Sequence, residues 1–140
     1  MLNKATYALW AIQGLLALVF LAAGGMKLVV PAEAMQAQMP VALPVLLVRA
    51  IGVAEVLGAA GLVLPGLLRV RVGLTPVAAS CLVVHMAGAT GFTMGTMGLA
   101  TAVMPAAITL LAAALAYGRL YVAPLTNRAS ARRVALQAAV

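Results

Sequence analysis

The chain has 140 residues, of which 66% are apolar and 8% charged, with a mean hydropathy of +1.16 and a formal charge of +7. A soluble domain of this size carries about a quarter charged residues, so composition excludes a water-soluble globular domain. It also excludes a basic nucleic-acid groove, for which there is too little polar surface; the expected partner is the lipid bilayer, and no nucleic acid is expected.

In chain order, the first apolar run, Tyr7 to Met26, predicts a helix over about 7–29, close to the ~20 residues that cross ~30 Å of hydrocarbon. Lys4 before it and "AEA" at 32–34 after it have the look of a signal peptide, but the run is longer than a signal's apolar region, so retention is expected. Gln13, within this span, predicts an interhelical hydrogen bond. The segment "PAEAMQAQMPVALP" at 31–44 holds Pro31, Pro40 and Pro44 and predicts a short interfacial helix or lid.

The second span is expected over 45–65, stopped by Pro65-Gly66, and the third over 75–95, with Thr75 as N-cap and Pro76 at the first helical position. The short connection makes these two helices antiparallel neighbours. A fourth span is expected over 99–121. The tail, 126–140, holds Arg128, Arg132 and Arg133 and reads as an amphipathic helix at an anionic leaflet or a disordered basic end. The fold class is therefore all-α: an integral membrane four-helix bundle, one domain over 1–125.

Orientation follows from the basic residues. Lys4, Arg69, Arg71, Arg119 and the tail arginines lie on one side, while 31–44 and 96–98 hold neither Lys nor Arg. By the positive-inside rule both termini are cytoplasmic, and Tyr7, Trp10, Tyr117 and Tyr121 fall at that same interface. Bilayer packing needs close backbone approach, which Ala50, Ala54 and Gly58 in the second span and Ala87, Gly91 and Gly95 in the third could supply.

Four ionisable residues on the first three spans, Lys27, Arg49, Glu55 and His85, are expected to converge on one site opening outward. Glu55 is ten residues before Pro65 and His85 ten after Thr75, so both fall roughly 15 Å deep at ~1.5 Å per helical residue, the midplane. Arg49 and Lys27 lie nearer the outer surface, at roughly 24 and 30 Å by the same count. A charge at mid-bilayer costs ~2.5–3.5 kcal/mol even on lenient scales, so it invites a functional reading. Gly52 and Gly58 sit three residues either side of Glu55 on its face, leaving room for another side chain, water or a ligand. Candidate catalytic residues are Glu55 and His85; candidate ligand-binding residues are Lys27, Arg49 and Glu55. The competing readings are structural: a protonated Glu55 linked to His85, and Lys27 and Arg49 as snorkelling anchors.

Cys81 is the single cysteine, which excludes an internal disulfide. Eight methionines include Met35-x-x-x-Met39 and Met94-x-x-Met97, spacings that suit soft Cu(I). Methionine is also an ordinary gap-filler. With one histidine and no paired cysteines, haem and copper are disfavoured and no metal ligands are assigned.

The segments "FLAAGGMKL", "RAIGVAEVLGAAGLVLP" and "MAGAT" together resemble the DoxX-like family of small four-helix membrane proteins, over about residues 15–95. The resemblance implies a bacterial inner-membrane bundle, often a membrane subunit beside a soluble redox partner, with relatives linked to thiosulfate:quinone oxidoreduction, methylamine utilisation and thiol-stress complexes. Lys27 and Glu55 match the family's recurrent polar positions. In the family a polar or histidine residue often follows the Gly-Ala pair, whereas here His85 precedes Gly88-Ala89.

The resulting expectation is a redox-associated accessory subunit or small-molecule-binding protein, taking a quinone, thiol or anion in an outward-opening polar pocket, and forming a homo-oligomer. Two alternatives stay open: a small proton-coupled transporter, and a compact intramembrane enzyme using Glu55 and His85 as acid and base.

Overall fold

The computed structural model describes residues 4–127 and Gln137. The expectation for the tail therefore lies almost wholly outside the described residues. Over residues 4–127 five α-helices follow one another: α1 Lys4–Val29, α2 Ala32–Gln36, α3 Val45–Leu68, α4 Leu74–Met97 and α5 Leu99–Tyr117, the last running into a π-helical turn, Gly118–Val122. Among the described residues four spans of 24 to 26 residues are long and apolar enough to cross a membrane: α1, α3, α4, and α5 with its π-turn. The short α2 fills the place expected for an interfacial helix.

Two boundaries differ from the sequence expectation. Pro65 does not stop α3, which continues to Leu68 and ends at Arg69 in the left-handed conformation (φ 54°). A proline in the last turn removes one hydrogen bond without ending the helix, and the Arg69 backbone N–H closes the end by bonding to the Pro65 carbonyl. Likewise Thr75 is not an N-cap. The fourth helix begins at Leu74, and the Thr75 hydroxyl donates to the Leu62 carbonyl at 3.3 Å, across to α3. At the opposite end, α4 and α5 are joined by Gly98 alone, whose φ of 87° is open to glycine at no steric cost.

Helix α1 packs chiefly on α3 and α4 chiefly on α5, with α3 against α4 joining the two pairs. The core combines large residues (Leu16, Phe20, Leu62, Leu115) with small ones (Ala59, Ala79, Ala112) that let helices approach. Its outward face is apolar: Leu18, Leu46, Val84 and Leu110 are each more than two-thirds exposed, as suits a lipid-facing surface. Polar side chains turn the other way, with Gln13, Glu55, Thr75 and Arg119 buried.

Helices α1 and α3 cross closely. A Cβ at Gly24 would stand 2.7 Å from the Gly52 carbonyl oxygen, and one at Gly52 2.9 Å from Lys27 Cβ. Only glycine at both places lets the backbones meet here. On the far side of α3, Gly58 receives Leu82 of α4, 2.8 Å from where a Cβ would be. The glycines either side of Glu55 thus make room for the neighbouring helices, and they bring α1 and α4 up to the carboxylate from both directions.

Candidate functional site

Glu55 lies on the inward face of α3, one turn beyond the α1 crossing, and its side chain is 3% exposed. From α1, Lys27 Nζ donates to Oε2 at 2.7 Å; from α4, His85 Nε2 meets Oε1 at 3.0 Å. One carboxylate thus holds together three helices, and both flanking side chains remain 27% exposed. With Glu55 ionised, its carboxylate is an acceptor only, and the contact then assigns the hydrogen to His85 Nε2 as donor. In the neutral imidazole that leaves Nδ1 as a free lone pair. The arrangement is an imidazole oriented by a carboxylate, which suits accepting and returning a proton.

The three polar side chains line one hollow of about 450 Å³ between α3 and α4. Its other walls are apolar: Leu47 and Ile51 of α3, and Met86, Gly88, Ala89 and Phe92 of α4. His85, Gly88, Ala89 and Phe92 follow the spacing 0, 3, 4, 7, one helix face. With no side chain at Gly88, and nothing within 4 Å of where its Cβ would be, this wall is open on the outer surface of the bundle. The chemistry is therefore a small set of hydrogen-bonding groups at the base of an apolar, laterally open recess, the usual composition of a small-molecule site.

Arg49 does not join them. Its Nη1 and Nη2 donate to the carbonyls of Lys27 and Val30, the latter at 2.9 Å, at the C-terminal end of α1. A guanidinium there satisfies carbonyls that lack helical partners and complements the helix dipole. It fixes the backbone at Lys27 rather than lining the hollow.

A second polar cluster lies nearer the other end of the bundle. Gln13 Nε2 donates to the Leu62 carbonyl at 2.7 Å, and Arg119 Nε donates to Gln13 Oε1 at 2.9 Å. The Arg119 guanidinium also lies over the Trp10 ring, 5.1 Å from its centroid. The interhelical role expected of Gln13 is present. Arg119, grouped by sequence with the interfacial arginines, is instead 2% exposed inside the bundle. The π-turn Gly118–Val122 carries it, and a π-turn is not legible in this apolar sequence.

Of the four candidate residues, the structure thus brings together Lys27, Glu55 and His85 and holds Arg49 apart. The apolar wall residues could have been found from the face shared with His85. Among the described residues no group of three His, Cys, Asp or Glu side chains is placed to hold a metal ion.

The profile of the DoxX-like family matches residues 11–117, which include every residue of the carboxylate cluster. No curated protein and no solved structure matches the chain.

Proposed function

The chain belongs to the DoxX-like family, and on that premise we propose that it is a redox-associated accessory subunit of a bacterial inner membrane, binding a small lipid-soluble molecule of quinone type. The observation that carries this reading is the Glu55 carboxylate held between Lys27 and His85 at the base of a laterally open apolar hollow. The remaining N–H groups of Lys27 suit a quinone carbonyl or a phenolate, and Phe92, Leu47 and Ile51 offer an apolar bed for the ring. The His85 Nδ1 lone pair suits a quinol hydroxyl, whose proton it accepts while Glu55 stabilises the imidazolium. Electrons leave or arrive through a soluble redox partner, so this chain's work is binding and proton exchange. Both termini face the cytoplasm in this reading, which places the Lys27 end of the bundle outward.

The test is a photoreactive quinone analogue applied to the protein in lipid nanodiscs. Labelling of α3 and α4, competed by unlabelled quinone and lost in Glu55→Gln and His85→Phe, is the expected result. Unchanged labelling in Glu55→Gln, together with an unchanged phenotype in a strain carrying that variant, overturns the proposal.

The same imidazole–carboxylate pair supports a second reading, an intramembrane enzyme using His85 as base. Turnover by purified protein with no partner present distinguishes it from an accessory role.

A further inference from the structure

Lys27 is shared between two hollows. On its other side, away from Glu55, a recess of about 320 Å³ is lined by Ala23, Met26, Lys27 and Val30 of α1 and by Met35, Gln38 and Met39 of the connecting segment. Three thioethers thus line one cavity. They come from two separate elements: Met26 stands on one face of α1 with Ala23, Lys27 and Val30, while Met35 and Met39 are four residues apart on α2 and the turn that continues it. Met35 and Met39 also line a small crevice with Val48 and Arg49. The pair is therefore seated over the end of the bundle, within reach of both α1 and α3.

We propose that this recess is a binding site for a soft monovalent cation, Cu(I), with the thioether sulfurs of Met26, Met35 and Met39 as ligands. Thioethers are neutral, soft donors that select Cu(I) over Zn²⁺, Mg²⁺ or Ca²⁺. Sequence alone offered Met35 and Met39, two donors with neither histidine nor cysteine beside them; the fold adds the third. Electrostatics at the site are permissive. Lys27, which lines the recess, is paired with Glu55 at 2.7 Å, and Arg49, which lines the adjoining crevice, is engaged with carbonyls. Glu33, in the first turn of α2, adds a negative charge to the same segment. The inference is independent of the quinone reading, since it uses no group of the Glu55 hollow as a ligand.

The experiment is competition for Cu(I) against bicinchoninate by the purified full-length protein in detergent, under anaerobic, thiol-free conditions, with Ag(I) as a redox-silent second probe. One Cu(I) per chain is expected. Met35→Leu and Met39→Leu are each expected to weaken binding at least tenfold, and the double variant to abolish it. Leucine nearly conserves methionine's volume, so the fold is retained; circular dichroism and thermal unfolding of each variant confirm that. The variant Met94→Leu/Met97→Leu, at the far end of α4, is expected to bind Cu(I) like the parent. No competition by the parent protein, equal binding by the Met35→Leu/Met39→Leu variant, or loss of binding only in Met94→Leu/Met97→Leu would each overturn the proposal.

Discussion

Lys27 Nζ and Glu55 Oε2 stand 2.7 Å apart, and the contact exists because α1 and α3 cross on a pair of glycines, Gly24 and Gly52. The ion pair and the close crossing are two aspects of one junction.

That coupling predicts unequal effects for neighbouring glycines. Gly24→Ala places a methyl 2.7 Å from a backbone carbonyl, which no side-chain rotation relieves, whereas Gly25→Ala meets nothing within 4 Å. Gly24→Ala is expected to lose ~1–3 kcal/mol, the usual cost of overpacking. Gly25→Ala should be neutral or gain up to ~1 kcal/mol of helix propensity. Equilibrium unfolding in mixed micelles measures both, and equal stabilities would refute the crossing as described.

The two partners of the ion pair should also differ when removed singly. Lys27→Met leaves Glu55, 3% exposed, with His85 as its one remaining side-chain partner among the described residues, while Glu55→Gln leaves a lysine that is already 27% exposed and able to turn toward polar surroundings. Breaking a buried pair from one side costs ~3–5 kcal/mol at full burial. Lys27→Met should approach that range and Glu55→Gln should fall well below it. The opposite order in thermal unfolding would show that the charge is not held as the geometry indicates.

Gln13 and Arg119 should be energetically coupled. Gln13→Leu leaves Arg119 Nε and one acceptor interaction of the Leu62 carbonyl unsatisfied inside the bundle, an expected loss of ~1–3 kcal/mol. Arg119→Met removes the buried cation together with its demand for acceptors. In a double-mutant cycle the combined variant is expected to cost less than the sum of the two, with a coupling of ~0.5–3 kcal/mol. Simple additivity would dissolve the proposed network.

The orientation inferred from the basic residues is checked by cysteine labelling. In a Cys81→Ala background expressed in spheroplasts, a cysteine at Arg71 should react with an impermeant maleimide only after the spheroplasts are opened, and one at Gln38 should react while they are intact. The reverse pattern would turn the bundle over and place the Lys27 end in the cytoplasm.

Much of this protein follows from sequence alone. Length and hydropathy determine four spanning helices, because ~20 apolar residues and a fully bonded backbone leave little else that a bilayer accepts. Helical rise determines that Glu55 and His85 share a depth, and the 3.0 Å contact between their side chains agrees with it. Depth, however, says nothing about azimuth. Whether Lys27 turns toward the carboxylate and Arg49 away from it depends on how α1 and α3 cross, which is a matter of two glycines meeting across helices. Arg119 makes the same point from the other end: its place in the sequence suits a lipid interface, and a π-turn rotates it inward onto Gln13 and Trp10. One-dimensional hydropathy fixes what must cross the membrane, while the rotation of each helix about its own axis, and so which polar groups meet, is decided only by packing between helices.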